Sequence, residues 1–226
     1  MENQIRIMST KKLLTNQKQY LLNANFSVVE ADFIGIKNID FTVGNDNEFL
    51  IFSSQNAVES VLKNKNIAQL LPKRCFCVGE KTKALLEEKG FVVLVHSDYA
   101  SELASIICNK YQKQSFTFFS GNLRKDILPE AMRLAKIQFE EISVYETVYS
   151  PTEIQSKPDG ILFFSPSAIE SYVQVNKITD EMCFCIGQTT AETAEKYTSN
   201  IIIANQPSVE NVIIQCLNYY SKSPKH

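Results

Sequence analysis

The sequence has few of the residues that build nucleotide-binding loops and metal sites. Only 7 of its 226 residues are glycine, and no Gly-x-Gly-x-x-Gly or Walker pattern occurs, so dinucleotide or triphosphate binding lacks its usual sequence support. There is no tryptophan, and the two histidines, His96 and His226, leave a histidine-based metal site poorly supplied. We therefore expect a protein that works without a metal or a cofactor.

Charge of one sign and long apolar runs are also missing. The 23 basic and 25 acidic residues leave a formal charge of −2, and no basic block could follow a phosphate backbone. No apolar run approaches the roughly 20 residues that a bilayer-spanning helix needs. Residues 1–10 lack the charged-then-apolar pattern of an export leader. These absences predict a cytoplasmic protein that binds neither nucleic acid nor membrane.

The sequence instead contains an internal repeat. Residues 54–60 (SQNAVES) return as residues 165–171 (SPSAIES), and residues 75–82 (CFCVGEKT) return as residues 183–190 (CFCIGQTT), at offsets of 111 and 108. Each block reads as an apolar strand that leads into a turn and a helix start, where backbone N–H groups are free to receive an anion. Two such blocks could bind one polyanionic ligand from two sides.

Hydrophobic periodicity predicts alternating strands and helices along the chain. The predicted strands are residues 5–10, 26–33, 49–52, 74–78, 91–95, 115–119, 139–149, 161–164, 183–186 and 200–204. The predicted helices are residues 12–23, 56–65, 81–89, 101–111, 128–136, 168–175, 190–197 and 209–220, with a frayed polar tail from Ser221. Asn25, in a left-handed conformation, and Gly90 are predicted to end the first and third of these helices. This order favours two α/β domains with parallel sheets, helices on both faces, and ligands beyond the carboxyl ends of the strands.

The six cysteines are best interpreted as thiols that pack in the core. Each Cys-Phe-Cys segment places two small apolar side chains on one face of a strand and a phenylalanine on the other. Zinc would need ligands from both repeats, and the one-residue gap within each pair is shorter than structural zinc sites generally use.

Several polar residues at strand ends allow either a structural or a functional interpretation. Residues 121–126 (GNLRKD) are a polar turn, or an anion-binding loop in which Arg124 holds carboxylates. Tyr145, within an alternating strand pattern, is expected to be half-buried with a partnered hydroxyl. Four residues are candidate helix caps, the ordinary role of serine and threonine at such positions: Ser54, Thr82, Ser165 and Thr190.

Six segments give the chain a resemblance to the uroporphyrinogen-III synthase family. They occur in the family's order and spacing over nearly the whole chain, and Ser9-Thr10-Lys11 lies where members often carry Thr-Arg. The segments are residues 51–59 (IFSSQNAVE), 78–82 (VGEKT), 120–129 (SGNLRKDILP), 144–149 (VYETVY), 163–168 (FFSPSA) and 186–191 (IGQTTA).

The resemblance implies two similar parallel-sheet α/β domains joined by a two-stranded linker. Domain 1 would contain residues 1–33 and 148–226, and domain 2 would be residues 34–147, inserted between them. The implied reaction cyclises hydroxymethylbilane, a linear tetrapyrrole with eight carboxylates, to uroporphyrinogen III. The last ring is inverted and water is lost through a spiro intermediate, and the reaction would take place in a cleft between the domains.

The resemblance also implies the site residues and the partners. Tyr145 would donate a hydrogen bond or proton to the departing hydroxyl. The substrate would be held by Ser53, Ser54, Thr82, Gly121, Asn122, Leu123, Ser165, Ser167, Thr189 and Thr190. The contact of Arg124 with substrate carboxylates is inferred instead from the chemistry of its loop. We expect a monomer that makes transient contact with hydroxymethylbilane synthase.

Two other functional classes share this fold. One is a non-catalytic two-domain anion-binding module, and the other is a nucleotide enzyme with a Rossmann-like sheet, which should show a glycine-rich phosphate loop.

Overall fold

The computed structural model describes residues 4–44 and 46–222 and confirms the alternation of strands and helices. The strands are β1 (Arg6–Ser9), β2 (Ser27–Glu30), β3 (Ile34–Asn38), β4 (Phe49–Phe52), β5 (Arg74–Val78), β6 (Val92–Ser97), β7 (Ser115–Gly121), β8 (Gln138–Tyr149), β9 (Gly160–Phe163), β10 (Met182–Cys185) and β11 (Ile201–Ile203). The helices are α1 (Thr15–Asn23), α2 (Gln55–Leu62), α3 (Ile67–Leu70), α4 (Glu80–Glu88), α5 (Ala100–Lys110), α6 (Ile127–Leu134), α7 (Pro166–Tyr172), α8 (Gln188–Ala194) and α9 (Val209–Lys222).

The backbone divides into two compact units. Unit 1 consists of the described residues up to Gly35 together with those from Val148 onward, and unit 2 consists of the described residues of Ile36–Thr147. The predicted domain boundaries follow residues 33 and 147. The assignment of these segments as domains stays a prediction.

Unit 2 is built on a sheet of order β3-β8-β7-β4-β5-β6, in which β8, β7, β4, β5 and β6 are parallel. Alternate residues of each strand face opposite layers of helices, because the side-chain period of a strand is two. Leu50 and Phe52 pack with α2 and α4, whereas Ile51 packs with α5 and α6. The predicted parallel sheet with helices on both faces is therefore confirmed for unit 2.

Unit 1 has the same strand arrangement in a circularly permuted chain order. Its sheet is β11-β10-β9-β1-β2, with every pairing parallel, which matches β6-β5-β4-β7-β8 of unit 2 position by position. Its first two strands in the chain, β1 and β2, occupy the places that β7 and β8 hold in unit 2. The sequence repeat therefore covers only the part of each unit that runs in the same chain order.

The repeated cysteines lie in the cores of the two units, which confirms the packing interpretation. Cys75 and Cys77 are fully buried with Leu50 and Phe52, and Cys183 and Cys185 are fully buried in the equivalent cluster of unit 1. All six cysteines are free thiols. Burial raises the pKa of the Cys185 thiol to about 12, so it stays protonated at neutral pH.

The sequence predicts some ends of helices and strands correctly and others wrongly. Asn25 and Gly90, predicted to end helices, both have positive φ, at 62° and 87°. The predicted strand at residues 26–33 is wrong beyond Glu30, where β2 ends. The tail prediction is wrong for Ser221, which lies in α9, and its last residues, 223–226, lie outside the described part of the chain.

Candidate active site

In unit 2 the predicted polar residues gather where parallel strands end. Because β4, β5 and β7 are parallel, their carboxyl ends share one edge of the sheet. Ser53 and Ser54 follow β4, Thr82 lies in the first turn of α4 after β5, and residues 121–124 lie at the end of β7. The Gln55 side chain donates a hydrogen bond to the Lys81 carbonyl (3.4 Å), which links the starts of α2 and α4.

Ser54 caps helix α2, as the sequence predicts. Its backbone is extended (φ −156°, ψ 151°), and its Oγ accepts a hydrogen bond from the Ala57 N–H at 3.2 Å. This satisfies one of the N–H groups that a helix start leaves without an intrahelical partner. Ser53 is partly buried beside it, between the end of β4 and the helix start.

The Tyr145 hydroxyl lies 3.1 Å from the Ser54 Oγ. Tyr145 is half-buried in β8 at the margin of the core that contains Phe52 and Phe119, so both parts of the structural interpretation are confirmed. The two hydroxyls carry two hydrogens, and only one can lie in their mutual bond. The pair can therefore donate its second hydrogen to an acceptor such as a carboxylate or a departing hydroxyl.

Gly121 lies directly beneath the Tyr145 ring. A Cβ built on Gly121 would be 2.3 Å from Tyr145 Cζ, with two further ring carbons at 2.5 and 2.8 Å. The strand register also shifts here, since Ser120 pairs with Ser143 whereas Gly121 pairs with Tyr145. This irregularity inserts an extra residue into β8, a device that re-aims neighbouring side chains.

Asn122 is tied to the backbone of β8 rather than left free at the strand end. Its Nδ2 donates to the Thr147 carbonyl at 3.2 Å, and its Oδ1 accepts from the Thr147 N–H at 2.8 Å. The neighbouring Leu123 is half exposed, with 50% of its surface accessible. The loop after β7 thus exposes the apolar side chain of Leu123, and the hydrogen bonds of Asn122 to β8 hold the loop in position.

Arg124 is engaged by two carboxylates of its own chain. Its Nε and one terminal nitrogen donate to the two oxygens of Glu141, and the other terminal nitrogen donates to Asp126 at 2.8 Å. Ser120 Oγ donates to the same Glu141 at 2.8 Å. The hydrogen bonds to Glu141 raise the pKa of Arg124. Its guanidinium therefore ties the loop to β8, a contact that the turn sequence did not predict.

Thr82 and Thr190 are not helix caps, so that part of the prediction is wrong. The residues that cap α4 and α8 are Gly79 and Gly187, and each threonine lies in the first turn. The N–H of Thr190 donates to the Gly187 carbonyl at 3.1 Å, and that of Thr82 to the Gly79 carbonyl at 3.0 Å. Both threonines are at least 95% buried, which sequence pattern alone did not indicate.

In unit 1 the repeat recreates the serine cap but gives it a different hydroxyl partner. Ser165 is extended, and its Oγ accepts from the Ala168 N–H at 3.2 Å, as the cap prediction requires. Ser167 Oγ lies 3.0 Å from Ser165 Oγ, whereas the hydroxyl beside Ser54 belongs to Tyr145. Thr189 is exposed in the first turn of α8.

Two further groups near these positions were missed by sequence reasoning. Glu141 holds Arg124, and in unit 1 the Tyr149 hydroxyl donates to Glu170, which raises the pKa of Tyr149 to about 12. Each pair joins β8 to residues 17 or 21 positions away in the chain, and no short motif marks such contacts. Across residues 4–44 and 46–222, no group of three or more His, Cys, Asp or Glu side chains could hold a metal ion.

A family model described as Uroporphyrinogen-III synthase HemD matches residues 17–214. The chain belongs to this family. The resemblance stated on the six sequence segments is thereby confirmed, and the matched range includes every predicted site residue. None of the helices in the described residues is long and apolar enough to cross a membrane.

Curated relatives of the uroporphyrinogen-III synthase family match parts of the chain. The porphyrin biosynthesis protein HemD of Ruminiclostridium josui is 23% identical over 158 residues, which cover 62% of this chain and 31% of that protein. The uroporphyrinogen-III synthase of Saccharomyces cerevisiae is 27% identical over 133 residues, which cover 51% of this chain and 48% of that protein. The matched part of the chain thus spans less than half the length of either relative.

Solved uroporphyrinogen-III synthase structures share the fold. The Helicobacter pylori uroporphyrinogen-III synthetase superposes with a TM-score of 0.74 at 17% identity, over 96% of this chain and 100% of that one. A mutant synthase from Thermus thermophilus gives a TM-score of 0.65 at 10% identity, over 97% of this chain and 100% of that one. These likenesses agree with the α/β fold and its parallel sheets.

Proposed function

We propose that the protein is a uroporphyrinogen-III synthase that converts hydroxymethylbilane to uroporphyrinogen III with inversion of the last ring. The observation that carries the proposal is the pair of hydroxyls on Ser54 and Tyr145, 3.1 Å apart at the carboxyl edge of a parallel sheet in a member of this family. The pair offers one hydrogen to a ligand without any cofactor. The reaction needs such a donor where the terminal hydroxyl of the substrate departs.

In the proposed reaction Tyr145 donates a hydrogen bond or proton to that hydroxyl, which leaves as water. The resulting azafulvene cation is attacked by the substituted carbon of the last ring to give a spiro intermediate, which fragments and recloses with that ring inverted. A proton is released when the last ring regains its aromaticity, and this balances the proton given to the departing water. A phenol acting as a general acid would contribute about 10²-fold to the rate.

Much of the catalysis in this proposal is positional. The substrate closes by itself to the uninverted isomer, so the protein must fold the linear chain until the substituted carbon attacks first. The half-exposed Leu123 offers an apolar surface to a pyrrole ring, and Asn122 holds it in place through Thr147. We propose that closure occurs in the interdomain cleft that the family resemblance implies.

Eight substrate carboxylates require local donors in a protein of net charge −2. The start of α2 supplies backbone N–H groups and has no acidic residue in its first turn, whereas α4 has Glu80 there. In unit 1 the paired hydroxyls of Ser165 and Ser167 are the corresponding donors. We propose that acetate and propionate arms bind at these positions, with Ser53, Thr82, Thr189 and Thr190 beside them.

The organisation around this activity is proposed with it. Residues 1–33 with 148–226 and residues 34–147 would act as two domains joined by the linker that β3 and β8 form. A monomer in the cytoplasm that receives its unstable substrate through transient contact with hydroxymethylbilane synthase fits this chemistry.

The test supplies freshly generated hydroxymethylbilane to the purified protein without nucleotide or metal. The products are oxidised, and the porphyrin isomers are separated by chromatography beside a protein-free blank. Predominantly type III product is expected. Type I product at the rate of the blank would contradict the activity and favour the non-catalytic anion-binding module.

A further inference from the structure

We propose that Gly121 is a positioning residue that seats the Tyr145 ring and thereby aims its hydroxyl, a role that rests on the proposed function. Glycine is not needed here for its backbone conformation, since Gly79 and Gly90 are the described glycines with positive φ. What Gly121 provides is the absence of a side chain on the face where the ring lies.

The ring and the glycine backbone are in direct contact. The three ring carbons closest to a Cβ on Gly121 are Cζ, Cε2 and Cε1, which form the hydroxyl end of the ring. All three would be within 2.8 Å of the added atom, below the separation that real Cβ atoms tolerate. Any other residue at position 121 would therefore displace the end of the side chain that carries the hydroxyl.

The strand pairing makes this contact specific to Tyr145. The register shift after Ser120 sets Gly121 opposite Tyr145 instead of Val144, which is fully buried in the core. A regular ladder would have placed Val144 there and turned the tyrosine to the other face, because the side-chain period is two. The register shift brings Tyr145 opposite Gly121, and the missing side chain of Gly121 leaves room for the Tyr145 ring.

The other end of the tyrosine is fixed by Ser54. Its Oγ is already held by the Ala57 N–H, so the oxygen that faces the Tyr145 hydroxyl is anchored to the start of α2. The ring is thus supported from below by Gly121 and at its tip by Ser54. Such support lowers the reorganisation needed when a hydrogen bond to the substrate forms.

The experiment compares the wild type with Gly121→Ala, Tyr145→Ala and the double variant, in both thermal unfolding and turnover. Gly44→Ala is the control, because nothing lies within 4 Å of a Cβ at Gly44. We expect Gly121→Ala to lower the melting temperature by at least about 3 °C, as overpacking does. We expect its kcat to fall about as far as that of Tyr145→Ala, on the order of 10²-fold, with KM much less affected.

In the Tyr145→Ala background the ring is gone, so adding Gly121→Ala should change kcat by less than about twofold and should not lower the melting temperature further. If Gly121→Ala does not fold, recovery of folding in the double variant is the expected result. Full turnover in Gly121→Ala, or an equal loss in both backgrounds, would overturn the positioning role.

Failure of the proposed function has a different signature. The wild type would then form no type III product, yet the melting temperatures would still show whether the Gly121 defect depends on the ring.

Discussion

Replacing Arg124 by glutamine and, separately, by lysine distinguishes a guanidinium that holds the loop from one that binds substrate carboxylates. Glutamine removes the charge, and lysine keeps it but cannot donate two parallel hydrogen bonds to one carboxylate. In the structure Arg124 donates to both oxygens of Glu141 and to Asp126. We therefore expect both variants to affect stability more than substrate binding.

The expected loss of unfolding free energy depends on how exposed the Arg124–Glu141 ion pair is to solvent. The side chains of Arg124 and Glu141 are 23% and 21% exposed. Their ion pair is therefore intermediate between a buried pair and a surface pair. Hydrogen bonds to charged groups contribute about 1.5–3 kcal/mol when buried, and exposed ion pairs about 0–1 kcal/mol. We expect Arg124→Gln to lower the free energy of unfolding by about 1–2 kcal/mol, and Arg124→Lys by a little less, because Lys retains only part of the bonding.

The assay combines denaturant unfolding of the three proteins with KM for hydroxymethylbilane. A structural Arg124 predicts a stability loss in both variants and a KM that changes by less than about threefold, under 0.7 kcal/mol. A KM that rises tenfold or more in Arg124→Gln, with unchanged unfolding and recovery in Arg124→Lys, would refute the reasoning. That outcome would restore the anion-binding interpretation of the loop.

Three further expectations concern the hydroxyls and the core. Tyr145→Phe should retain its fold while turnover falls about 10²-fold, and unchanged turnover in a folded protein would exclude the proposed donor. Ser165→Ala should cost about 1 kcal/mol of unfolding free energy, because the Ala168 N–H loses its acceptor; denaturant titration would contradict this if the midpoint did not move. Burial raises the pKa of the Cys183 thiol and the Tyr172 hydroxyl to about 12, from 9.0 and 10.0, so each keeps its proton longer when folded. The contribution of Cys183 should therefore be complete below about pH 9 and that of Tyr172 below about pH 10, and each should fall by up to about 1.4 kcal/mol per pH unit from there as the pH rises toward 12. A flat profile in alkaline denaturation would contradict this expectation.

Sequence reasoning predicted the parts of the fold that depend on local chemistry. The alternation of strands and helices, the left-handed Asn25 and the caps Ser54 and Ser165 all follow from residues close together in the chain. The sequence pattern predicts threonine caps for α4 and α8, because glycine gives no side-chain signal at an N-cap. Gly79 and Gly187 take that place through their backbones.

The geometry of the site depends on long-range register, which the sequence does not show. Gly121 and Tyr145 are neighbours only because β7 and β8 pair with a one-residue irregularity. The sequence leaves Arg124 in either a polar turn or an anion-binding loop, and it does not show the partner Glu141, which lies 17 residues away in β8. The short α3, residues Ile67–Leu70, is one turn long and has no periodic pattern to detect.

The permuted order of unit 1 affects how the chain folds as it is synthesised. Strand β1 occupies the interior of its sheet, yet its neighbour β9 arrives late, since Ile7 pairs with Gly160. At about 5–20 residues per second, β1 waits on the order of 10–30 s on the ribosome with the backbone groups of that edge unpaired. All of unit 2 is synthesised within this interval. Strand β1 is thus synthesised long before its sheet partner β9, and its unpaired edge is where a chaperone has most to protect.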